Sequence, residues 1–139
     1  MRIQDVLNEN VQFVEPDTKL EKVAKLMKEH DCGSIPVAED DKLIGMITDR
    51  DIVIRCVAES GDPESMTAMD CMSAGMLYCF DTDEVEDVIR NMGEEAVRRM
   101  PVVNKDKQLV GIVSLGDLSA ACKDKSKAGE TLSDIRDAA

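Results

Sequence analysis

The chain has 139 residues, of which 29 are Asp or Glu and 17 are Lys or Arg, so its formal net charge is −12. This length suits one domain, and the acidic balance disfavours nucleic acid and anionic membranes as partners. No apolar run reaches the roughly 18 residues of a membrane span, no signal peptide is visible in MRIQDVLNEN, and five irregularly spaced cysteines predict a reduced, cytoplasmic protein.

The chain is a tandem repeat, because residues 3–52 align with residues 68–118 once an insertion is allowed near Gln108. The identical pairs include Asp5/Asp70, Glu21/Glu86, Met27/Met92, Pro36/Pro101, Gly45/Gly111 and Asp51/Asp117. Self-similarity at this period indicates a duplicated supersecondary unit.

The repeat sets the expected domain boundaries. We predict one repeat at residues 1–57, a linker at residues 58–66 and a second repeat at residues 67–122. The linker AESGDPES is small and polar and contains Pro and Gly. The tail at residues 123–139 has mixed charge and few apolar residues, so we expect it to be mobile or a weakly docked helix.

Each repeat contains one strongly periodic helix. Apolar residues with the spacing i, i+3, i+4, i+7 predict its buried face: Leu20, Val23, Ala24 and Met27 in the first copy, and Val85, Val88, Ile89 and Met92 in the second. A capping-box pattern precedes each face, with Thr18 and Glu21 in the first copy and Asp83 and Glu86 in the second. We therefore expect side-chain caps at both helix starts.

A hairpin and a second helix complete each repeat. SIPVA and LIGMI predict the strands of the first hairpin, MPVV and LVGIV those of the second, and a helix begins near Asp51 or Asp117. The order per repeat is β-α-β-β-α, and the fold class is α/β (α+β). One such repeat cannot cover both faces of its sheet, so we expect the two copies to pack with pseudo-twofold symmetry.

Each copy also places a hydroxyl residue three positions before an aspartate, as Thr48 and Asp51, and as Ser114 and Asp117. A carboxylate suits a vicinal diol such as that of a ribose, and a helix N-terminus favours phosphate. The same residue types also serve as ordinary helix caps. The spacing alone therefore leaves a binding role and a capping role open.

The segments CGSIPVAEDDKLIGMITDRDIV and RRMPVVNKDKQLVGIVSLGDLS resemble the two halves of a CBS domain pair, the Bateman module. The resemblance covers nearly all of residues 2–122. It implies a stand-alone regulatory protein that is not an enzyme and needs no cofactor. Its expected ligand is AMP, ADP, ATP or another adenosine compound. It also implies a homodimer whose repeat or subunit arrangement responds to ligand, and it leaves room for an unidentified regulated protein as partner.

The resemblance further implies two ligand-binding clefts, each formed by both repeats. One would use Met46, Thr48, Arg50 and Asp51, facing Leu77, Val97, Arg98, Arg99 and Met100; the other would use Ile112, Ser114, Gly116 and Asp117, facing Gln12, Cys32, Gly33 and Ile35. Since Arg gives strong contacts to phosphate oxygens, we expect the Asp51 cleft to prefer a phosphorylated ligand. The Asp117 cleft is expected to bind weakly or stay empty, and Asp49 adds an opposing charge beside Arg50.

Other functions receive less support from the residues. The runner-up is a dimeric interaction scaffold with ligand-free clefts. His30 is the single histidine, so no metal site or catalytic dyad is predicted. The methionines of MTAMDCMSAGM could invite Cu(I) but are expected mainly to fill the core or an interface. Cys71 and Cys79 could pair under oxidation if the fold brings them together.

Overall fold

A computed structural model describes residues 1–122 of the chain, and the tail predicted at residues 123–139 lies outside them. The chain divides into two compact units. The repeat-1 unit comprises residues 12–76, and the repeat-2 unit comprises residues 1–11 together with the chain from Leu77 onward. Within the described part, every helix is too short or too polar to cross a lipid bilayer.

The repeat-1 unit contains a long helix, a hairpin and three short helical segments. Its elements are α1 (Leu20–His30), β1 (Ser34–Glu39), β2 (Lys42–Thr48), α2 (Asp49–Ile52), a π-helical turn (Val53–Val57) and α3 (Ala68–Cys71). Strands β1 and β2 pair antiparallel. The first predicted strand is reduced to a single parallel bridge between Val14 and Val37.

The repeat-2 unit has the complete predicted order. Its elements are a 3-10 turn (Ile3–Asp5), β3 (Cys79–Phe80), α4 (Val85–Glu95), β4 (Arg99–Val103), β5 (Leu109–Ser114) and α5 (Leu115–Ala121). The sheet order is β3-β4-β5, with β3 parallel and β5 antiparallel to β4. The predicted mixed helix and strand fold is therefore confirmed.

Each unit has its own buried core. The repeat-1 core includes Leu20, Val23, Ile35, Val37 and Ile47; the repeat-2 core includes Ile3, Val88, Ile89, Met92, Val102 and Leu118. The predicted face of α4 is fully buried. In α1, Ala24 is exposed and Leu26 packs partly against the core instead, because the larger side chain covers more apolar surface.

The first residues of each repeat pack in the unit of the other repeat. The Ile3 N–H donates to the Asp83 carbonyl at 2.9 Å, and the Val85 N–H donates to the Met1 carbonyl at 3.0 Å. In the repeat-1 unit, the Ala68 N–H donates to the Thr18 carbonyl at 2.8 Å. The repeats predicted from the alignment thus follow the chain, whereas the compact units exchange these leading segments, and the predicted linker lies within the repeat-1 unit.

The expected capping boxes at Thr18 and Asp83 are wrong. Helix α1 begins after Lys19 and α4 after Glu84, and neither residue makes a side-chain cap. Tertiary contacts supply the acceptors instead: the Leu20 N–H donates to the Met66 carbonyl at 3.0 Å, and the Val85 N–H donates to the Met1 carbonyl. Met66 of the predicted linker and Met1 of the N-terminal segment therefore satisfy N–H groups that every helix start leaves open.

Two mid-strand glycines make this exchange possible. Met46 on β2 pairs with Ser73, and Ile112 on β5 pairs with Asn8, as isolated bridges. A Cβ on Gly45 would lie 3.0 Å from the Ser73 carbonyl oxygen, and one on Gly111 would lie 2.7 Å from the Asn8 carbonyl oxygen. Glycine in a strand interior commonly marks such a close backbone approach.

Candidate functional site

The candidate site in the repeat-1 unit is the Asp51 turn, which we define as Thr48–Asp51. The Asp51 N–H donates to Thr48 Oγ1 at 3.0 Å, and the Thr48 N–H donates to Asp51 Oδ2 at 2.9 Å. This reciprocal pair is a capping box. It fixes the Asp51 side chain at the end of β2 and engages one of its two carboxylate oxygens, Oδ2.

The equivalent feature in the repeat-2 unit is the Asp117 turn, Ser114–Asp117. The Asp117 N–H donates to Ser114 Oγ at 3.1 Å, so the hydroxyl caps α5. Among the residues that the structure describes, no return hydrogen bond to the Asp117 carboxylate is formed, and the residue is exposed. Both of its oxygens can accept hydrogen bonds from a diol.

The Asp51 turn itself contains a second acidic residue, Asp49. The Asp49 N–H donates to the Gly33 carbonyl at 2.9 Å. Its carboxylate lies over Gly33, where a Cβ would be 3.1 Å from Asp49 Oδ2, and its Oδ1 accepts from the Arg50 N–H at 2.8 Å. Asp49 thus adds negative charge beside Asp51, and Arg50 is the single cation in this turn.

Arginines occupy the matching positions beside the Asp117 turn. The Leu115 N–H donates to the Arg98 carbonyl at 2.8 Å, so Arg98 stands where the repeat-1 unit has Gly33. Arg99 pairs directly with Ser114 across β4 and β5. Directly paired residues share a face of the sheet, with Cβ atoms about 5 Å apart. Leu115, which replaces Asp49, is buried.

The structure distributes the predicted site residues over the two units. The repeat-1 unit holds Gln12, Cys32, Gly33, Ile35, Met46, Thr48, Arg50 and Asp51; the repeat-2 unit holds Leu77, Val97, Arg98, Arg99, Met100, Ile112, Ser114, Gly116 and Asp117. Gly33 was expected opposite Asp117 and lies beside Asp49; Arg98 was expected opposite Asp51 and lies beside the Asp117 turn. The contacts across the units stay a prediction.

Burial separates these residues further. Ile35 and Met100 have exposures of 0% and 2%, and their side chains belong to the two cores. Leu77 is an exposed apolar side chain, and Arg50, Arg98 and Arg99 are exposed cations. The three arginines of the predicted site are thus accessible to a ligand, whereas Ile35 and Met100 are not.

Arg55 makes a structural contact that the sequence did not predict. Its Nη1 donates to the carbonyls of Cys71 and Met72 at 2.9 and 3.1 Å, at the end of α3. The next residue, Ser73, exchanges two backbone hydrogen bonds with Met46 on β2. Arg55 therefore ties the π-helical turn to the segment that borders the Asp51 turn. Its aligned counterpart is Ala121, and no local pattern predicts the contact.

Candidate metal ligands in the described chain are its His, Cys and carboxylate side chains. Residues 1–122 contain no group of three or more His, Cys, Asp or Glu side chains placed to hold a metal ion. Burial raises the pKa of the Cys71 thiol, and the nearby Cys56 raises it further. Burial raises the pKa of Cys79 to about 12, with Asp83 and Asp81 adding to the effect. Both thiols are therefore neutral near pH 7.

Comparison with known proteins identifies the repeats. The CBS domain family model matches residues 3–57 and 68–124. The CBS domain-containing protein YhcV of Bacillus subtilis is 35% identical over 133 residues, which cover 96% of this chain and 94% of that protein.

Solved structures agree with that assignment. Hypoxic Response Protein I, crystallised with two coordinated zinc ions, has a TM-score of 0.79 and 35% identity over 88% of this chain and 99% of its own. CBSX2, crystallised in complex with AMP, has a TM-score of 0.75 and 26% identity over 86% of this chain and 94% of its own.

Proposed function

The chain belongs to the CBS domain family, whose domain pairs are regulatory modules, and from this premise we propose that it is an adenosine-nucleotide sensor. The observation that carries the proposal is the pair of turns in which a strand-end hydroxyl holds the N–H of an aspartate three residues later. Each turn presents at least one carboxylate oxygen that can bind ribose hydroxyls. AMP, ADP, ATP and related adenosine compounds share this diol.

Two further points support an adenosine ligand. The CBSX2 structure, which is similar to this chain over most of its length, was determined with AMP. Accessible or half-buried members of the expected site include Thr48, Arg50 and Asp51 in one unit and Arg99, Ser114 and Asp117 in the other. These residues supply the hydroxyl, cation and carboxylate that a nucleotide requires.

The proposed mechanism is a population shift. A bound ligand would favour one arrangement of the repeats, or of two subunits in a homodimer, by its difference in affinity for the alternatives. Any regulated protein that prefers one arrangement would then bind reciprocally with the nucleotide. We propose a cytoplasmic, non-catalytic role of this kind, without a required cofactor.

Thermal unfolding with a panel of adenosine ligands tests the proposal. A ligand present at 100 times its Kd should stabilise the folded chain by about 2.7 kcal/mol. Guanosine and cytidine nucleotides serve as matched controls for nonspecific phosphate binding. If no adenosine compound raises the melting temperature, the chain is not an adenosine sensor.

A second candidate is a dimeric interaction scaffold whose clefts hold no ligand. Two observations favour it: Asp51 is engaged in a capping box, and the side chains of Val53, Ile54 and Val57 are 53%, 48% and 63% exposed on one helical segment. In that case Val53→Asp and Val57→Asp would lower self-association in light scattering, and adenosine ligands would change neither self-association nor stability.

A further inference from the structure

The two aspartate turns differ most in the charge of their immediate neighbours. Resting on the proposed adenosine site, we propose that the Asp117 turn takes the 5′-phosphorylated ligand, whereas the Asp51 turn accepts only an adenosine compound without a phosphate. This assignment is the opposite of the one expected from the sequence, and it depends on where the structure places Arg98 and Arg99.

Arg99 is positioned beside Ser114 in the sheet. It pairs directly with Ser114 at the end of the β4–β5 hairpin, so its side chain leaves the sheet on the same face as the Ser114 hydroxyl. Arg99 is exposed, and among residues 1–122 neither Arg99 nor Arg98 forms an ion pair. A phosphate beside the Ser114 hydroxyl would therefore meet an available guanidinium.

The carboxylates of Asp51 and Asp117 differ in the hydrogen bonds that they accept. Asp51 Oδ2 already accepts from the Thr48 N–H at 2.9 Å. The Asp117 carboxylate accepts no such bond from the Ser114 N–H. A vicinal diol donates two hydrogen bonds, and the Asp117 carboxylate has its full acceptor capacity for them, whereas the cap already uses part of that of Asp51.

The negative charge at the Asp51 turn repels an anionic ligand. Directly opposite Thr48, β1 carries Ser34 instead of an arginine. The Asp49 carboxylate lies over Gly33 and accepts from the Arg50 N–H, so it occupies the backbone donor closest to the turn. Counting side chains, the Asp51 turn has two carboxylates and one guanidinium, whereas Asp117 has the two arginines beside it. An anionic ligand is disfavoured at the first and favoured at the second.

AMP and adenosine are the matched probes, because they differ only in the phosphate. Their dissociation constants are measured by calorimetry for the wild type, Arg99→Gln, Asp117→Asn and Asp51→Asn. The control is Arg90→Gln, which removes an exposed guanidinium of the same unit that pairs with Asp87 at 3.1 Å. Unfolding curves verify that each variant is folded.

We expect Arg99→Gln to weaken AMP about tenfold, the typical value of a hydrogen bond to a charged group, and to leave adenosine unchanged. Asp117→Asn should weaken AMP by a similar factor or more, whereas Asp51→Asn and Arg90→Gln should leave AMP unchanged. Loss of AMP binding in Asp51→Asn with retention in Asp117→Asn would overturn this inference and leave the adenosine site standing. Absence of binding by both probes would overturn the adenosine site itself.

Discussion

The Asp51 and Asp117 turns have the same sequence pattern and nearly the same backbone, yet they use their polar groups differently. In the first, hydroxyl and carboxylate cap each other's backbone N–H groups. In the second, the hydroxyl caps and the carboxylate makes no return bond. Repeating a motif thus preserves the local geometry while the charge around it changes. Arg98 and Arg99 replace Gly33 and Ser34, and Leu115 replaces Asp49.

The comparison also applies to the units that hold the turns. Each unit completes its core with a segment from the other repeat, but the contacts of the two segments are unequal. The N-terminal segment places Ile3 at 0% exposure in the repeat-2 core. The segment of the repeat-1 unit is held in addition by Arg55, which bonds to the carbonyls of Cys71 and Met72.

Ile3→Ala should destabilise the fold by about 3 kcal/mol, because it leaves a cavity in the repeat-2 core. Hydrogen exchange should show the loss of protection in β3, β4 and β5 before it appears in β1 and β2. Gln4→Ala, an exposed neighbour, is the control and should have little effect. Loss of protection first in residues 12–76 would contradict the assignment of Ile3 to the repeat-2 unit.

Gly111→Ala should cost about 2 kcal/mol and Gly45→Ala about 1 kcal/mol, both through overpacking. The difference arises because a Cβ at Gly111 meets the Asn8 carbonyl oxygen at 2.7 Å, whereas at Gly45 the nearest backbone atom is at 3.0 Å. The flexible end of Met72 can also move away from Gly45. Urea unfolding midpoints measure both costs, and a larger cost at Gly45 would reverse the predicted order.

The Cys79 thiol should make stability fall between pH 9 and pH 12. Its pKa is raised from 9.0 to about 12 in the fold. The unfolded thiol therefore ionises first as the pH rises, and its contribution is fully present below pH 9. At pH 10 the wild type should lose about 1.4 kcal/mol relative to its value at pH 8 through this group, and Cys79→Ala should lack this loss. Parallel stability curves for the two proteins would refute it.

Asp51→Ala should cost about 1 kcal/mol, because it removes the acceptor for the Thr48 N–H. Asp117→Ala should leave stability nearly unchanged, since no equivalent bond is lost. The free energies of unfolding of the two variants are measured by chemical denaturation without ligand. Equal costs would mean that the two carboxylates have the same role in the cap.

Ala96→Gly should stabilise the fold by about 0.5 kcal/mol. Ala96 ends α4 with φ 55°, a left-handed conformation that costs an alanine more than a glycine. Asp31 ends α1 in the same way with φ 49°, but aspartate tolerates this region better, so Asp31→Gly should have a smaller effect. Melting temperatures of the two variants test the difference, and a destabilised Ala96→Gly would count against it.

Much of the fold could be predicted from local pattern. The spacing of Val85, Val88, Ile89 and Met92 predicts a helix face directly. The strand-forming segments that contain Pro36 and Pro101 predict the hairpins. The caps predicted at Thr18 and Asp83 are wrong, because carbonyls of residues distant in sequence accept from the first N–H groups of the two helices. The exchange of leading segments was not predicted, because it also depends on contacts between residues distant in sequence. Gly45 and Gly111 nevertheless indicated a close backbone approach.

The candidate site was predictable in composition more than in grouping. The hydroxyl and aspartate of each turn follow from the sequence, and their hydrogen bonds are local. The neighbours Gly33 and Arg98 depend on hairpin register, which places each one beside the turn of its own repeat. Register follows from pairing over a whole hairpin, and the sequence analysis had assigned these residues only by resemblance.

The N-terminal segment gives the chain an unusual order of assembly. Residues 1–11 emerge from the ribosome before residues 12–76, but their hydrogen-bond partners at Asp81, Asp83 and Ile112 emerge after them. During synthesis Ile3 must remain solvated while the repeat-1 unit can already close, since residues 12–76 contain all of its own elements. Completion of the second core is thus a late, long-range step, and a nascent chain that stops before Ile112 would leave Asn8 without its backbone hydrogen-bond partner.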